Sequence, residues 1–232
     1  MTYIQIPSLD GKNFDAYIAR PSLSTAPVII VIQEVFGVNA AMRNICDALA
    51  QDGYLALCPD LFWRQERNVQ LTDKTDAEWR IADQLYDGFN VELGISDLIA
   101  TLAYARKMPG CNGTIGTVGH CLGGRLAFLL AARSDLDCTV SYYGVGLENY
   151  LSEMADVRHP LLMHVAGQDK FVPPEAQEKI LRAAARNSAI RVELYKSAPH
   201  AFARPDGVHY DPVAAALANE RTAAFLAAHL RR

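Results

Sequence analysis

The sequence predicts an α/β fold: a mostly parallel sheet of about eight strands with helices on both faces. Three observations carry that prediction. Continuous apolar runs, such as residues 28–32, have the composition of strands covered on both sides. After an antiparallel start, such runs alternate with segments of helical periodicity, which is the pattern of parallel β-α-β units. Finally, a strand-like stretch (114–118), a small-residue turn (119–124) and a helix-like stretch (125–133) follow one another directly.

The elements justify themselves in order. Residues 3–6 and 14–19 read as short strands joined through Leu9-Asp10-Gly11-Lys12, where Asp-Gly marks a hairpin. The run 28–32 is a buried strand, 40–52 has helical spacing and stops at Gly53, and 54–58 is again apolar and strand-like. A long helical region covers about 73–107 and breaks near Gly88-Phe89-Asn90, with Asn90 placed to cap the second piece. The strand at 114–118 and a helix over 122–133 come next. Residues 139–143, 161–165 and 190–195 are strand-like, with a helix near 174–187 between the last two. An Ala-rich helix over about 212–230 closes the chain.

The 232 residues, half of them hydrophobic, suit one domain spanning 1–232. A chain of this size buries roughly 70–75% of its unfolded surface. A net charge of −4 gives no reason to expect nucleic acid or an anionic membrane as partner. No run approaches the ~20 apolar residues a bilayer span needs, and the first residues lack the pattern of a secretion signal. Five cysteines, an odd number without a CxxC pair, suggest free thiols and a cytoplasmic protein. No histidine pair has metal-ligand spacing, so no metal site is expected.

Ligand sites in such sheets form at the carboxyl ends of the strands. There the chemistry collects. Gly119-His120-Cys121-Leu122-Gly123-Gly124 has the form of the nucleophile elbow of an α/β-hydrolase, with cysteine at the apex. A thiol at a helix N-terminus is favoured as thiolate by the positive end of the helix. Such a nucleophile needs a base, and the base needs an orienting acid, in the chain order nucleophile, acid, histidine. Asp169, just past the strand at 161–165, and His200, past the strand at 190–195, meet that order. Taken singly, Asp169 could be a turn former and His200 a loop residue; together with Cys121 they make a triad. His164, inside a strand, reads as a packed core residue. The backbone N–H groups of Val35 and Leu122 are the expected oxyanion donors. Glu34 would lie beside them, either as a solvated carboxylate paired with Arg43 or as a group that holds the thiol neutral and accepts its proton.

Five motifs resemble those of the dienelactone hydrolase (carboxymethylenebutenolidase) family: Gln33-Glu34-Val35-Phe36-Gly37, the elbow, Tyr142-Tyr143-Gly144-Val145-Gly146, Gly167-Gln168-Asp169-Lys170-Phe171-Val172-Pro173, and Pro199-His200-Ala201-Phe202-Ala203-Arg204. The similarity runs through the whole chain, including the 216–222 segment. The resemblance implies a monomeric, cofactor-free enzyme of (chloro)aromatic catabolism that opens the enol-lactone of dienelactone to maleylacetate through a thioester. It implies Cys121, Asp169 and His200 as triad, with Glu34 taking the thiol proton on substrate binding before the sulfur turns to His200. It further implies Arg204 and Arg80 as holders of the substrate carboxylate, and Phe36, Tyr142 and Phe171 as pocket aromatics. Two departures stand out: Ala201, where the family commonly has serine, and the 79–83 segment, where a pocket tyrosine is missing. A general carboxylesterase or thioesterase, and a non-catalytic lactone sensor, are the competing readings.

Overall fold

A computed structural model describes residues 2–231. Eight strands lie in the order β1-β2-β4-β3-β5-β6-β7-β8. Strand β1 (Tyr3–Pro7) pairs antiparallel with β2 (Asn13–Ala19), and β2 pairs antiparallel with β4 (Leu55–Pro59). Strand β3 (Ala26–Ile32) runs parallel to β4. Strands β6 (Cys138–Tyr142), β7 (Leu161–Gln168) and β8 (Ile190–Pro199) are mutually parallel neighbours. Strand β5 spans Cys111–His120. The expected mostly parallel, eight-stranded α/β arrangement is therefore the one observed.

Contacts divide the chain into two compact units, Met1–Gly116 and Thr117–Arg232. In the first, the β1–β2 hairpin closes where expected: Gly11 sits at φ +81°, and Ser8 and Lys12 bond across the turn. All seven residues of β3 are buried, as its unbroken apolar run requires. Helix α1 (Ala40–Gln51) is capped by Asn39, whose side chain accepts from the Met42 N–H at 3.1 Å. The long helical region is split, as expected, into α2 (Asp76–Asp87) and α3 (Val91–Lys107), and Asn90 caps α3 by accepting from the Leu93 N–H at 3.0 Å. Helix α2 starts at Asp76 rather than 73, because Thr75 and Glu78 form a reciprocal cap there. Asp97 of α3, fully buried, accepts from the Trp63 indole N–H at 2.8 Å and from the Nε–H and one Nη–H of Arg64, tying the loop after β4 to this helix.

The second unit holds α4 (Leu122–Arg133), β6, β7, α5 (Pro174–Ala184), β8 and α6 (Pro212–Leu230). A 3-10 helix over Leu147–Asp156, unsignalled by local periodicity, also lies here. Contacts from distant parts of the chain hold it: the Arg133–Glu153 ion pair at 2.7 Å and the Asn187 amide donating to the Met154 and Val157 carbonyls.

Candidate active site

The register of β7 on β8 creates the centre of the site. These parallel strands pair as far as Gln168 against Pro199. The next residue on each, Asp169 and His200, therefore leaves adjacent strand ends side by side. A bulge between Ala166 and Gln168 lets them finish in step, and Gly167 fills it. A Cβ at Gly167 would come within 2.5 Å of the Lys196 carbonyl oxygen, so no larger residue fits. His200 Nδ1 donates to Asp169 Oδ2 at 2.7 Å, and the other carboxylate oxygen accepts the Phe171 N–H at 2.9 Å. Both carboxylate oxygens are thus spoken for, and the imidazole is oriented with Nε2 free of Asp169.

Cys121 supplies the third member. It follows β5 directly and opens α4 with φ +57° and ψ −116°, a conformation a side chain rarely adopts. The strained turn is clamped by its neighbours. The Cys121 N–H donates to the Tyr142 carbonyl at 3.0 Å, and the Cys121 carbonyl accepts from Gly124, Arg125 and Val145. Glycine is required at 124 because a Cβ there would sit 2.5 Å from the Tyr142 carbonyl oxygen and 2.9 Å from the Gly144 Cα. The Cys121 sulfur lies close enough to the His200 imidazole to favour its charged form. The order sulfur, imidazole, carboxylate is therefore continuous.

Electrostatics follow from that chain of bonds. Burial opposes a charged His200 imidazole. Attraction to the Cys121 sulfur, with the hydrogen bonds to Asp169 and Cys121, outweighs it and raises the pKa from 6.5 to about 10. Three groups this buried, with exposures of 6% (Cys121), 4% (Asp169) and 4% (His200), interact with little screening by water. The arrangement sets a charged imidazole beside the sulfur, the setting in which a thiol is activated for attack on a carbonyl carbon.

The remaining residues singled out in the sequence fall into distinct settings. Arg204 lies on the turn after His200 and is buried, with its N–H bonded to the Ala201 carbonyl; Ala201 has φ +60°. Phe171 is partly exposed, and its ring centroid lies 4.8 Å from the His200 ring. Tyr142, expected as a pocket aromatic, is instead a core residue. Its hydroxyl is committed to Thr222 at 2.6 Å and Asn219 at 3.1 Å on α6, and its ring stacks on His120. Tyr143, next in sequence, is the tyrosine that reaches His200, with ring centroids 5.1 Å apart. An aromatic pair at 142–143 signals one core and one site residue but does not say which is which. His164 is the packed core residue expected: its ring nitrogens bond the Tyr195 and Thr222 hydroxyls, and burial lowers its pKa to about 3, so it is neutral.

In the first unit, Glu34 is 1% exposed, immediately beyond β3. Arg43, weighed as its partner, donates to the Val38 carbonyl and to the Gln70 side chain. The loop carrying Val35 is zipped to the 69–71 segment: Leu71 N–H donates to the Phe36 carbonyl at 3.0 Å, Asn39 to the Leu71 carbonyl at 2.8 Å, and Gly37 pairs with Gln70. Phe36 is fully buried with its ring against that of Trp79 at 4.9 Å. Arg80 is exposed and its Nε–H donates to the Asp76 carbonyl of its own helix, the behaviour of a surface-helix arginine.

Comparison with known proteins gives the following. The sequence model of the "Dienelactone hydrolase family" matches residues 14–230. A protein named carboxymethylenebutenolidase from Pseudomonas putida is 45% identical over 97% of this chain and 95% of its own length. Carboxymethylenebutenolidase 1 from Cupriavidus pinatubonensis is 37% identical over the same shares, 97% and 95%. The crystal structure of a dienelactone hydrolase from Anabaena variabilis superposes with a TM-score of 0.71 over 99% of this chain and 97% of that one; at 17% identity it supports the fold alone.

Proposed function

The chain belongs to the dienelactone hydrolase family, and on that premise we propose that it opens the enol-lactone ring of dienelactone to maleylacetate through a thioester on Cys121. The observation that carries this reading is Cys121 on a strained, helix-opening turn beside an imidazole that Asp169 orients, His200. The sulfur attacks the lactone carbonyl carbon, and the backbone N–H groups of Leu122 and Val35 receive the developing oxyanion. Collapse breaks the ring C–O bond. The released enolate takes a proton from the His200 imidazolium and tautomerises to the ketone. Water, giving its proton to His200, then attacks the thioester carbonyl and frees the second carboxylate and the thiol. Glu34 is the proposed acceptor of the thiol proton at the outset, which it releases to solvent when the dianionic product leaves, a role its burial and the family resemblance support. Arg204 is the proposed partner of the substrate carboxylate. Phe171 supplies an apolar wall beside the base. The place in (chloro)aromatic degradation follows from the same resemblance.

Two measurements test the reading. Mass spectrometry of protein quenched during turnover of cis- or trans-dienelactone should show an added substrate mass on Cys121, absent in Cys121→Ala; lactone bound without covalent mass in the wild type would point to a sensor. In kinetics, Arg204→Ala should lower kcat/KM for the anionic lactone by about a hundredfold, equal to a lost charge-assisted bond of about 2–3 kcal/mol. Neutral p-nitrophenyl esters should be little affected, and Arg80→Ala should change neither. Equal losses on both substrate types would replace the lactonase reading with a general esterase.

A further inference from the structure

Tyr143 has φ +37°, a region in which a bulky aromatic residue is an outlier. Glycines stand at 144 and 146, so the chain uses permissive residues freely in this turn, yet position 143 carries a large ring. That ring is buried and touches four others: His200 at 5.1 Å and 66°, Phe202 at 5.5 Å and 70°, Tyr142 at 5.9 Å and 71°, and His120 at 5.9 Å and 56°. Phe171 meets the same imidazole at 4.8 Å and 76°. His200 is therefore approached by two aromatic rings, both steeply inclined to it. The Asp169 hydrogen bond fixes one corner of the imidazole but tolerates tilting of the ring, because such bonds lose little energy over tens of degrees. Van der Waals walls are far steeper.

The backbone of the same turn grips the nucleophile. The Tyr142 carbonyl accepts from the Cys121 N–H at 3.0 Å, and the Val145 N–H donates to the Cys121 carbonyl at 3.3 Å. Between these two contacts, the Tyr143 N–H donates to the His164 carbonyl at 2.8 Å, anchoring the turn to β7. One four-residue segment thus holds Cys121 by its main chain and His200 by a side chain.

We propose that Tyr143 is a positioning residue: its strained turn acts as a gauge that sets the distance and tilt between the Cys121 sulfur and the His200 imidazole, with Phe171 as a second wall. The proposal rests on the Cys121–His200–Asp169 reading but not on the identity of the substrate. The ring, rather than the hydroxyl, makes the contact with His200, so Tyr143→Phe keeps the gauge and Tyr143→Leu removes it.

The test reads the sulfur directly, through the pH dependence of Cys121 alkylation by iodoacetamide followed by mass spectrometry. Wild type and Tyr143→Phe should share one profile of alkylation rate against pH. Tyr143→Leu, with an unchanged far-UV circular dichroism spectrum, should react at least about tenfold more slowly than wild type at neutral pH and recover at alkaline pH, since small misplacements of reacting groups cost one to two orders of magnitude. A folded Tyr143→Leu with the wild-type profile overturns the proposal. If that variant does not fold, Phe171→Leu, which alters a partly exposed wall, should show a smaller loss in the same direction; an unchanged profile there overturns the proposal instead. A His200→Ala variant that keeps the wild-type profile would reject the triad reading, which keeps the two failures distinct.

Discussion

At the scale of single residues, reactivity here comes from neighbours rather than from residue type. Cysteines 46, 58 and 138 are buried, as is Cys121, yet of these four only Cys121 combines a positive φ, a helix N-terminus and a neighbouring charged histidine. His164 and His200 are equally instructive. Both are buried histidines with two side-chain partners, but hydroxyl partners and burial leave His164 neutral, while a carboxylate and a sulfur keep His200 charged. The His200 imidazole should therefore titrate near 10 in the wild type. In Cys121→Ser the attraction to the sulfur is lost while burial is unchanged, so the titration should move downward. Imidazole C–H chemical shifts followed against pH check this, and an unmoved titration would show that Asp169 alone raises the value.

At the scale of elements, short polar staples decide how loops meet the strands and helices. Asp97 on α3 carries the largest such burden: it is fully buried and accepts from Trp63 and Arg64 on the loop after β4, and Arg64 also reaches Asp10 in the β1–β2 turn. Asp97→Ala would leave a buried indole N–H and a partly buried guanidinium without their acceptor. Removing one partner of such a set costs about 3–5 kcal/mol, and the 19% exposure of the Arg64 side chain sets the expectation at the lower end. Urea unfolding followed by tryptophan fluorescence should show it; a loss under about 1 kcal/mol would mean that water replaces the carboxylate. In the second unit α6 is fastened by Thr222 and Asn219 to Tyr142, and by Thr222 to His164, which fixes the end of β6 from which the elbow is gripped.

At the scale of the whole molecule, the buried neutral His164 sets an acid limit. Its folded pKa of about 3 lies below the ordinary 6.5 because burial disfavours the charged ring, with His120, Arg221 and Arg191 adding to the effect. Above pH 6.5 both folded and unfolded chains carry it neutral, and its contribution is fully present. As pH falls from 6.5 toward 3 the unfolded chain binds a proton the folded chain refuses, and stability declines by up to about 1.4 kcal/mol per pH unit. Wild-type unfolding free energy should therefore fall more steeply between pH 7 and 5 than that of His164→Asn. Parallel slopes would show that the histidine titrates in the native state. Among the described residues no helix is long and apolar enough to cross a membrane, and no cluster of His, Cys, Asp and Glu is arranged to hold a metal.

The alternation of strands and helices, the hairpin, the Asn90 cap, the elbow around Cys121 and the chain order of Cys121, Asp169 and His200 were all legible along the sequence. Each depends on local periodicity, on backbone preferences of a few residues, or on the rule that parallel strands offer their carboxyl ends. Other features were decided by tertiary structure. The Gln168–Pro199 register that brings Asp169 beside His200 depends on a bulge at Gly167 fitted to a neighbouring strand. The division of labour between Tyr142 and Tyr143 depends on α6, some eighty residues away. The seating of Phe36 on Trp79 and the 3-10 helix at 147–156 likewise answer to packing partners distant in sequence. Local preference determined which elements form and which residues end them; the distances on which reactivity turns were left to non-local contacts, because only steric fit between separate segments is steep enough to fix them.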